Sequence, residues 1–280
     1  MRRRRGELST EEKIFTRIKM TDEEVFEKFE RDCLLRNLRP ATITYYKNEI
    51  TAFQKSMIEL KINKQIIELN KDDIEQIILH LKGQIKTVSI NTRIRALKAF
   101  FNYLYKSNII RKNPTDDIKQ LRDRQRTIET LDDKEIEKIA KVIRSQNTFV
   151  GVRDITIFML MLDTGIRLSE LVGIKVNDIR GNELIIRETK NLNERSVYLS
   201  KKTIQQLNIY LRLRGKLDTE YLFVNVDNRH LKGRGIQNRF AKYKDMANIK
   251  KQFSPHILRH TYAKRSIMEG IDAFSLAKLL

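Results

Sequence analysis

Apolar residues recur at three- and four-residue steps through most of the chain from Thr21 to Asn108. Such spacing places the apolar side chains on one face of a helix. Four segments show it: TDEEVFEKFERDCLLRNL from Thr21, PATITYYKNEITAFQKSMIELK from Pro40, DDIEQIILHLKGQI from Asp72 and SINTRIRALKAFFNYLYKSN from Ser89. Thr21 and Glu24 have the spacing of a capping box, which predicts where the first helix begins. Together the four helices predict a compact all-helical domain over residues 20–112.

The pattern breaks at Asn113 and Pro114, and the residues up to 130 are charged without a clear apolar face. Because proline disfavours helix at the residue before it, we predict a linker over 113–130. Further helices are predicted in LDDKEIEKIAKVIRS, RDITIFMLMLDTG, KKTIQQLNIYLRLRG and SPHILRHTYAKRSIMEG. The second of these is apolar on nearly all sides, which predicts burial. Ser254 is the predicted cap of the last helix, with Pro255 in its first turn.

Between these helices, GNELIIRETKNLNERSVYLS alternates apolar and polar residues on both sides of a polar tip, KNLNE. Alternation with a period of two, interrupted by such a tip, predicts a β-hairpin. Lys190 lies where the first strand meets the turn. The predicted fold class is therefore mainly α, with an all-helical first domain and a mixed α+β second domain over residues 131–280.

Charge narrows the choice of partner, because 56 Lys and Arg against 36 Asp and Glu give a formal net charge of +20. Such an excess favours a polyanion, with nucleic acid first and a membrane surface second. A soluble protein with a solvated charged surface is the plainer alternative. Residues 2–5 are four arginines in a predicted flexible arm, 1–19, which either lies along DNA phosphates or is a solubilising tail.

Candidate DNA contacts lie in two segments, one a predicted helix and the other a basic stretch. Arg93, Arg95 and Lys98 share the fourth predicted helix, which suits a helix laid along a DNA groove. The segment from Asp227 to Lys251 holds eight Lys and Arg against two Asp, and Arg239 and Lys242 are the candidates there. As isolated charges these residues indicate little, since most surface charges are simply solvated.

Other classes of site and location find little support in the sequence. No run approaches the roughly 18 apolar residues of a membrane span, and the start lacks the apolar core of a signal peptide. We therefore expect a soluble, cytoplasmic protein. Cys33 is the one cysteine and is predicted to pack in the core. The four histidines lack metal-ligand spacing, so neither a metal nor another cofactor is predicted.

Two arginine-bearing segments are the candidate chemistry, TGIRLSEL around Arg167 and SPHILRHTYA around His256 and Arg259. His256 and Arg259 are three residues apart and share a helix face. They lie in the first turns, where backbone N–H groups and the helix dipole favour an anion. Guanidinium matches phosphate in geometry and charge, so two arginines can hold both non-bridging oxygens in the absence of a metal. A lone arginine is more often a surface ion pair, and the combination favours a phosphate clamp.

At these residues the chain resembles the tyrosine recombinases, the phage integrases and Xer-type recombinases. TGIRLSEL resembles the family's first arginine box, which implies a catalytic role for Arg167 and an orienting one for Glu170. HILRH resembles the second box and implies catalytic roles for His256 and Arg259. KNLNERSVYL is similar to the lysine hairpin and implies Lys190, although Asn191 replaces the usual glycine and Tyr198 the usual proline. TITYYKNEITAF, NTRIRALKAFFNYL and the Asn113–Pro114 pair resemble the family's core-binding domain and its link to the catalytic domain.

The resemblance implies that a tyrosine attacks a DNA phosphodiester to form a 3′-phosphotyrosyl link. Arg167 and Arg259 would clamp the phosphate, Lys190 would protonate the leaving 5′ oxygen, and His256 would assist proton movement. In the family the nucleophile follows an LLGH segment by several residues, and this chain ends at LAKLL just before that point, so the nucleophile is expected after Leu280. Tyr262 falls where the family has an aromatic core residue. The 280-residue chain is therefore expected to bind DNA without forming the covalent intermediate.

The partners implied are double-stranded DNA, enclosed by the two domains, and other copies of the chain in a homo-tetramer on paired sites. Two other functions stay open on the sequence. One is a non-catalytic DNA-binding relative with the same fold, and the other is a DNA-relaxing enzyme like the type IB topoisomerases.

Overall fold

A computed structural model describes residues 20–123, 127–187 and 194–279. The chain divides into two compact units, Met1–Gln125 and Arg126–Leu280, each with its own hydrophobic core. Helices dominate the described ranges, and one three-stranded antiparallel sheet lies in the second unit. The predicted fold class, mainly α with a mixed second domain, is confirmed.

The first unit holds the four helices predicted from the periodicity. They are α1 (Asp22–Leu35), α2 (Pro40–Glu59), α3 (Lys71–Leu81) and α4 (Thr87–Lys106). The predicted capping box begins α1, where Glu24 N donates to Thr21 Oγ1 at 3.3 Å and Thr21 N donates to Glu24 Oε2 at 2.9 Å. Cys33 is buried in this core, as predicted, and burial raises the pKa of its thiol.

The first nine residues of the predicted linker pack against the first unit. Asn113 is buried, and its Nδ2 donates to Asn102 Oδ1 at 2.7 Å. Ile118 belongs to the hydrophobic core. Asn91 of α4 bonds both backbone groups of Leu121, donating from Nδ2 to the carbonyl at 2.9 Å and accepting the amide at Oδ1 at 2.7 Å. Residues 113–121 are therefore part of the packing of this unit.

The second unit is built around a buried helix. Its helices are α5 (Asp133–Arg144), α6 (Phe149–Thr164), α7 (Leu168–Gly173), α8 (Lys201–Arg214), α9 (Gly233–Met246), α10 (Pro255–Met268) and α11 (Ala273–Leu279). The predicted burial of α6 is confirmed, and α5, α8 and α10 pack on it. It ends at Gly165, whose φ of 61° lies in the left-handed region that glycine adopts without strain.

The predicted hairpin is confirmed on its described residues, as β2 (Glu183–Ile186) and β3 (Arg195–Tyr198), with a short β1 (Ile179–Arg180) added at the edge. The register pairs Leu184 with Val197, and both side chains face the core. None of the described helices has the length and apolar character needed to cross a bilayer.

Helix α9 lies inside the basic segment 227–251, where no helix was predicted. Its buried residues, Ile236, Phe240 and Tyr243, do have helical spacing. The prediction missed them because the segment was interpreted by its charge and because two glycines stand in the first turn. Tertiary packing outweighs the low helix propensity of Gly233 and Gly235.

Candidate phosphate-binding site

Arg167 is held between the end of α6 and the start of α7. It is the residue before α7 and has extended backbone geometry. Its amide donates to Glu170 Oε2 at 3.0 Å, and its Nη1 donates to Glu170 Oε1 at 2.8 Å. The same carboxylate thus caps the helix and orients the arginine. The structure therefore places the predicted supporting residue, Glu170, beside Arg167.

Glu170 is fully buried and is also bound by an arginine that sequence analysis did not select, Arg195. Arg195 Nη1 donates to Glu170 Oε1 at 3.0 Å, and Nη2 donates to Oε2 at 2.7 Å. Burial acts to raise the pKa of Glu170, but hydrogen bonds from Arg195 and Arg167 outweigh it and hold the pKa below its usual range. The one feature of the sequence that could have pointed to Arg195 is its position at the start of the second strand of the hairpin.

Arg259 projects from α10 towards the end of α6, where its Nη1 donates to the carbonyl of Gly165 at 2.7 Å. Ser254 caps this helix as predicted, since Ile257 N donates to Ser254 Oγ at 3.4 Å. Burial lowers the pKa of Arg259 to about 10, and the charge of Arg167 acts in the same direction. The two predicted arginines are therefore brought to the same end of α6.

His256 and Arg167 line one open cavity of about 460 Å³. The other lining residues are Leu168, Ser169 and Val172 of α7 and Gly233, Arg234 and Gln237 of α9. Arg234 and Gln237 were not predicted, because no helix was predicted to carry them. The lining residues that the structure describes include no Asp or Glu. With the starts of α9 and α10 at its wall, the cavity is suited to an anion.

Lys190 lies outside the described residues. Of its neighbours, Arg187 donates from Nε to Asp178 Oδ1 at 2.7 Å and from Nη1 to Glu194 Oε1 at 3.3 Å. Tyr262 follows Arg259 by one turn of α10 and is partly buried.

The candidate DNA contacts of the first unit lie on α4. Arg93 donates from Nε to Glu49 Oε2 at 3.2 Å and is largely buried. Arg95 is exposed, with Nη2 donating to Thr92 Oγ1 at 3.0 Å, and Lys98 is half-buried. Contact with DNA stays a prediction for all three.

Arg239 and Lys242, the candidates on α9, differ in their surroundings. Arg239 donates from Nε to Oδ2 of the buried Asp154 at 2.9 Å, and Tyr243 donates to the same oxygen at 2.8 Å. Burial, followed by the charge of Asp154, raises the pKa of Tyr243 to about 12. Arg153 completes the cluster, donating from Nη2 to Asp154 Oδ1 at 2.7 Å. Arg239 thus has a structural place in this cluster, whereas Lys242 is exposed.

The chain is similar to known proteins over both units. Residues 129–280 match the model of the Phage integrase family, and residues 27–108 match that of the Phage integrase, N-terminal SAM-like domain. A protein named Tyrosine recombinase XerC from Treponema denticola is 28% identical over 275 residues, covering 92% of this chain and 90% of that protein.

Solved structures resemble the fold at lower sequence identity. A lambda integrase dimer bound to a COC′ core site matches with a TM-score of 0.76 and 16% identity, covering 93% of this chain and 94% of that one. A lambda integrase tetramer bound to a Holliday junction matches with a TM-score of 0.75 and 16% identity, covering 94% and 78%.

Proposed function

Because the chain belongs to the phage integrase family, the tyrosine recombinases, we propose that it is a site-specific DNA recombinase. In this reaction DNA strands are cut and rejoined through a 3′-phosphotyrosyl intermediate. The observation that carries the proposal is the cavity shared by Arg167 and His256, with Arg259 beside Arg167 at the end of α6. Two guanidinium groups and an imidazole gathered near the end of α6 suit a phosphodiester in duplex DNA.

Arg167 and Arg259 are the proposed phosphate clamp. As the tyrosine oxygen attacks the phosphorus and the 5′ oxygen leaves, negative charge grows on the non-bridging oxygens, and preorganised cations stabilise that charge. Glu170 and Gly165 support this role, since they fix the two guanidinium groups before any ligand arrives. Preorganisation matters because the cost of orienting the groups is then met during folding.

His256 and Lys190 are the proposed proton-handling groups. His256 is exposed at the cavity wall, which suits a hydrogen bond to a phosphate oxygen or a proton transfer at the leaving group. Lys190 would protonate the leaving 5′ oxygen, and its assignment rests on the resemblance of the hairpin sequence to the family's lysine hairpin.

We propose double-stranded DNA as the partner and a homo-tetramer on paired sites as the working assembly. The net charge of +20 supports DNA binding, which should weaken steeply as salt rises, because bound phosphates release counterions. The lambda integrase structures, one bound to a core site and one a tetramer on a Holliday junction, support both parts by analogy of fold.

The clamp is tested by measuring duplex affinity by fluorescence anisotropy. Arg167→Gln and Arg259→Gln should each weaken binding roughly tenfold, since each removes a charge-assisted contact. Arg180→Gln is the matched control, because Arg180 is an exposed arginine of the same unit and its loss changes the net charge equally. Affinities that match the Arg180→Gln variant would contradict the clamp.

We assign no tyrosine within residues 1–280 as the nucleophile. Tyr262 is the last tyrosine of these residues and lies in α10. By the resemblance to the family, it falls where an aromatic core residue is expected. A nicked suicide duplex should therefore be bound without forming a covalent adduct. An adduct that survives denaturing electrophoresis would overturn this assignment, and Tyr262→Phe would then show whether Tyr262 forms it.

A further inference from the structure

Arg195 shares a buried carboxylate with Arg167, and the sharing is unequal. Glu170 has no exposed side-chain surface, and its two oxygens accept three hydrogen bonds from guanidinium groups. Arg195 supplies two of them, one to each oxygen, at 3.0 and 2.7 Å. Arg167 supplies one, from Nη1 at 2.8 Å. Arg195 therefore holds the two-bond position that guanidinium and carboxylate prefer.

Because Arg195 makes two of the three guanidinium bonds to Glu170, most N–H groups of the Arg167 guanidinium are not used by this carboxylate. Within the described ranges, no hydrogen bond is made by Nε or Nη2 of Arg167, and neither atom is a buried donor lacking a partner. Both groups are therefore open to water, and Arg167 is one of the residues that line the cavity with His256. A phosphate in the cavity needs donors of this kind.

Without Arg195, the charge of Glu170 would stay buried with one cation beside it. A buried carboxylate that loses a partner is costly, so the remaining guanidinium would be drawn into the vacated geometry. Arg167 precedes α7 and lies one turn before Glu170, so it can turn Nη2 or Nε towards the Glu170 oxygen that Arg195 has left. Those donors would then be bound to Glu170 and no longer available to a phosphate.

We propose that Arg195 is a positioning residue for the phosphate clamp: by satisfying Glu170 with two bonds, it keeps the second half of the Arg167 guanidinium available to phosphate. This inference deepens the proposed function and rests on Arg167 being a phosphate ligand. Arg195 itself acts through Glu170 and is not assigned a contact with DNA.

A purely structural role is the competing explanation, in which Arg195 only ties β3 to α7. The two explanations differ in the effect of a second change at Glu170. If Arg195 acts by occupying the carboxylate, removing the carboxylate charge also removes the need for it. If Arg195 acts only as a tether, losing both partners is at least as harmful as losing one.

The experiment compares Arg195→Gln, the double variant Arg195→Gln with Glu170→Gln, and the matched control Arg180→Gln. Inorganic phosphate is the probe, and its binding is followed by the ¹⁵N Nε–Hε resonance of Arg167, assigned with Arg167→Lys. Arg195→Gln should weaken phosphate binding at this resonance roughly tenfold, which corresponds to the loss of a charge-assisted hydrogen bond. The double variant should regain most of that loss, and Arg180→Gln should bind as the wild type does.

Binding by Arg195→Gln that equals the wild type would overturn the inference, as would a double variant no better than Arg195→Gln when circular dichroism shows both folded. If Arg195→Gln does not fold, Arg195→Lys replaces it. Lysine keeps the charge but lacks the planar two-bond geometry. It should therefore show a smaller loss that Glu170→Gln again reverses, and the absence of any loss would contradict the inference.

A wild-type resonance that does not respond to phosphate would count against the proposed clamp. The crystal structure of the Arg195→Gln or Arg195→Lys variant would then decide the inference alone. Two hydrogen bonds from the Arg167 guanidinium to the Glu170 carboxylate would support it, and a guanidinium that keeps only the Nη1 bond of the wild type would overturn it.

Discussion

At Arg259, two conditions that disfavour a charged guanidinium coincide. The side chain is half-buried, and Arg167 stands beside it with the same charge, which together lower the pKa of Arg259 to about 10. The guanidinium keeps its proton at neutral pH, so the repulsion is present in the free protein. An anion between the two arginines would relieve it, and the site is therefore arranged to gain stability from its ligand.

Phosphate should accordingly stabilise the folded chain. At a concentration about tenfold above its Kd, inorganic phosphate is expected to raise the Tm by about 2–5 °C over chloride at equal ionic strength. Differential scanning fluorimetry measures this shift. Arg259→Gln should abolish most of it, while Arg180→Gln should leave it intact. An equal shift in both variants would mean that phosphate binds elsewhere.

Tyr243 provides a pH test of the cluster around Asp154. Burial and the nearby carboxylate raise its pKa to about 12 from the ordinary 10, so folding favours the neutral phenol. A raised pKa contributes stability that is complete below about pH 10 and is lost as the pH rises towards 12. Chemical denaturation between pH 9 and about 12 should therefore show a steeper decline for the wild type than for Tyr243→Phe.

Absorbance titration at the tyrosinate band is the independent check on this prediction. One component with a midpoint near 12 should be missing from Tyr243→Phe. A missing component with a midpoint near the ordinary value of about 10 would refute the raised pKa of Tyr243.

Among the elements, α7 and α9 bring the cavity together through close backbone approach. A Cβ on Gly233 would come within 3.2 Å of Leu168 Cδ2, whereas one on Gly235 would meet only Leu231 Cδ1, at 3.5 Å. The contact at position 233 is shorter than a Cβ normally makes, whereas the one at position 235 is an ordinary van der Waals contact. Glycine at 233 therefore lets the start of α9 lie against the residue that follows Arg167.

Two alanine substitutions in the same turn separate helix propensity from this contact. Gly235→Ala is expected to raise stability by up to about 1 kcal/mol, because alanine is the better helix former. Gly233→Ala should be the less stable of the two, since it displaces Leu168. It should also reduce the phosphate-induced rise in Tm, which Gly235→Ala should preserve. If urea denaturation gave the two variants equal free energies of unfolding, Leu168 would have to move aside without loss of stability.

Sequence alone predicted those elements whose signals are local. The capping box of Thr21 and Glu24, the Ser254 cap and the apolar periodicity of α1 to α6 and α8 all act within a few residues. The alternation around KNLNE likewise gave the hairpin. Helix α9 was missed because glycines and charge masked three correctly spaced apolar residues. The short helices α7 and α11 carry too few turns for a periodic signal.

The candidate site divides in the same way. Arg167, His256 and Arg259 stand in recognisable segments, and the structure brings all three to the end of α6. The contribution of Arg195 was not predictable, because its partner Glu170 lies 25 residues away on another element. The inward placement of Arg239 depends on Asp154, 85 residues earlier, and no local pattern encodes it.

On the scale of the whole molecule, each unit has its own hydrophobic core, and the end of the first unit can be tested. Residues 113–121 add the buried Ile118 and the paired bonds between Asn91 and Leu121. A fragment of residues 20–123 should therefore be more stable than one of residues 20–112, by about 2–4 kcal/mol. Urea denaturation followed by circular dichroism measures the difference.

Ile118→Ala in the longer fragment is the matched control, and it should fall between the two. Equal stability of the two fragments would show that residues 113–121 rest on the unit without supporting it.

The hydrogen bond from Arg259 to the carbonyl of Gly165 joins positions 94 residues apart. At about 5–20 residues per second, roughly 5–20 s of translation separate the two residues. During that interval the Gly165 carbonyl has been synthesised but the Arg259 side chain that will donate to it has not. Arg167 likewise lacks the second arginine of the clamp. The first unit has by then received its entire core. The pair of arginines that would hold an anion is thus complete only when Arg259 has been synthesised, after every residue of the first unit.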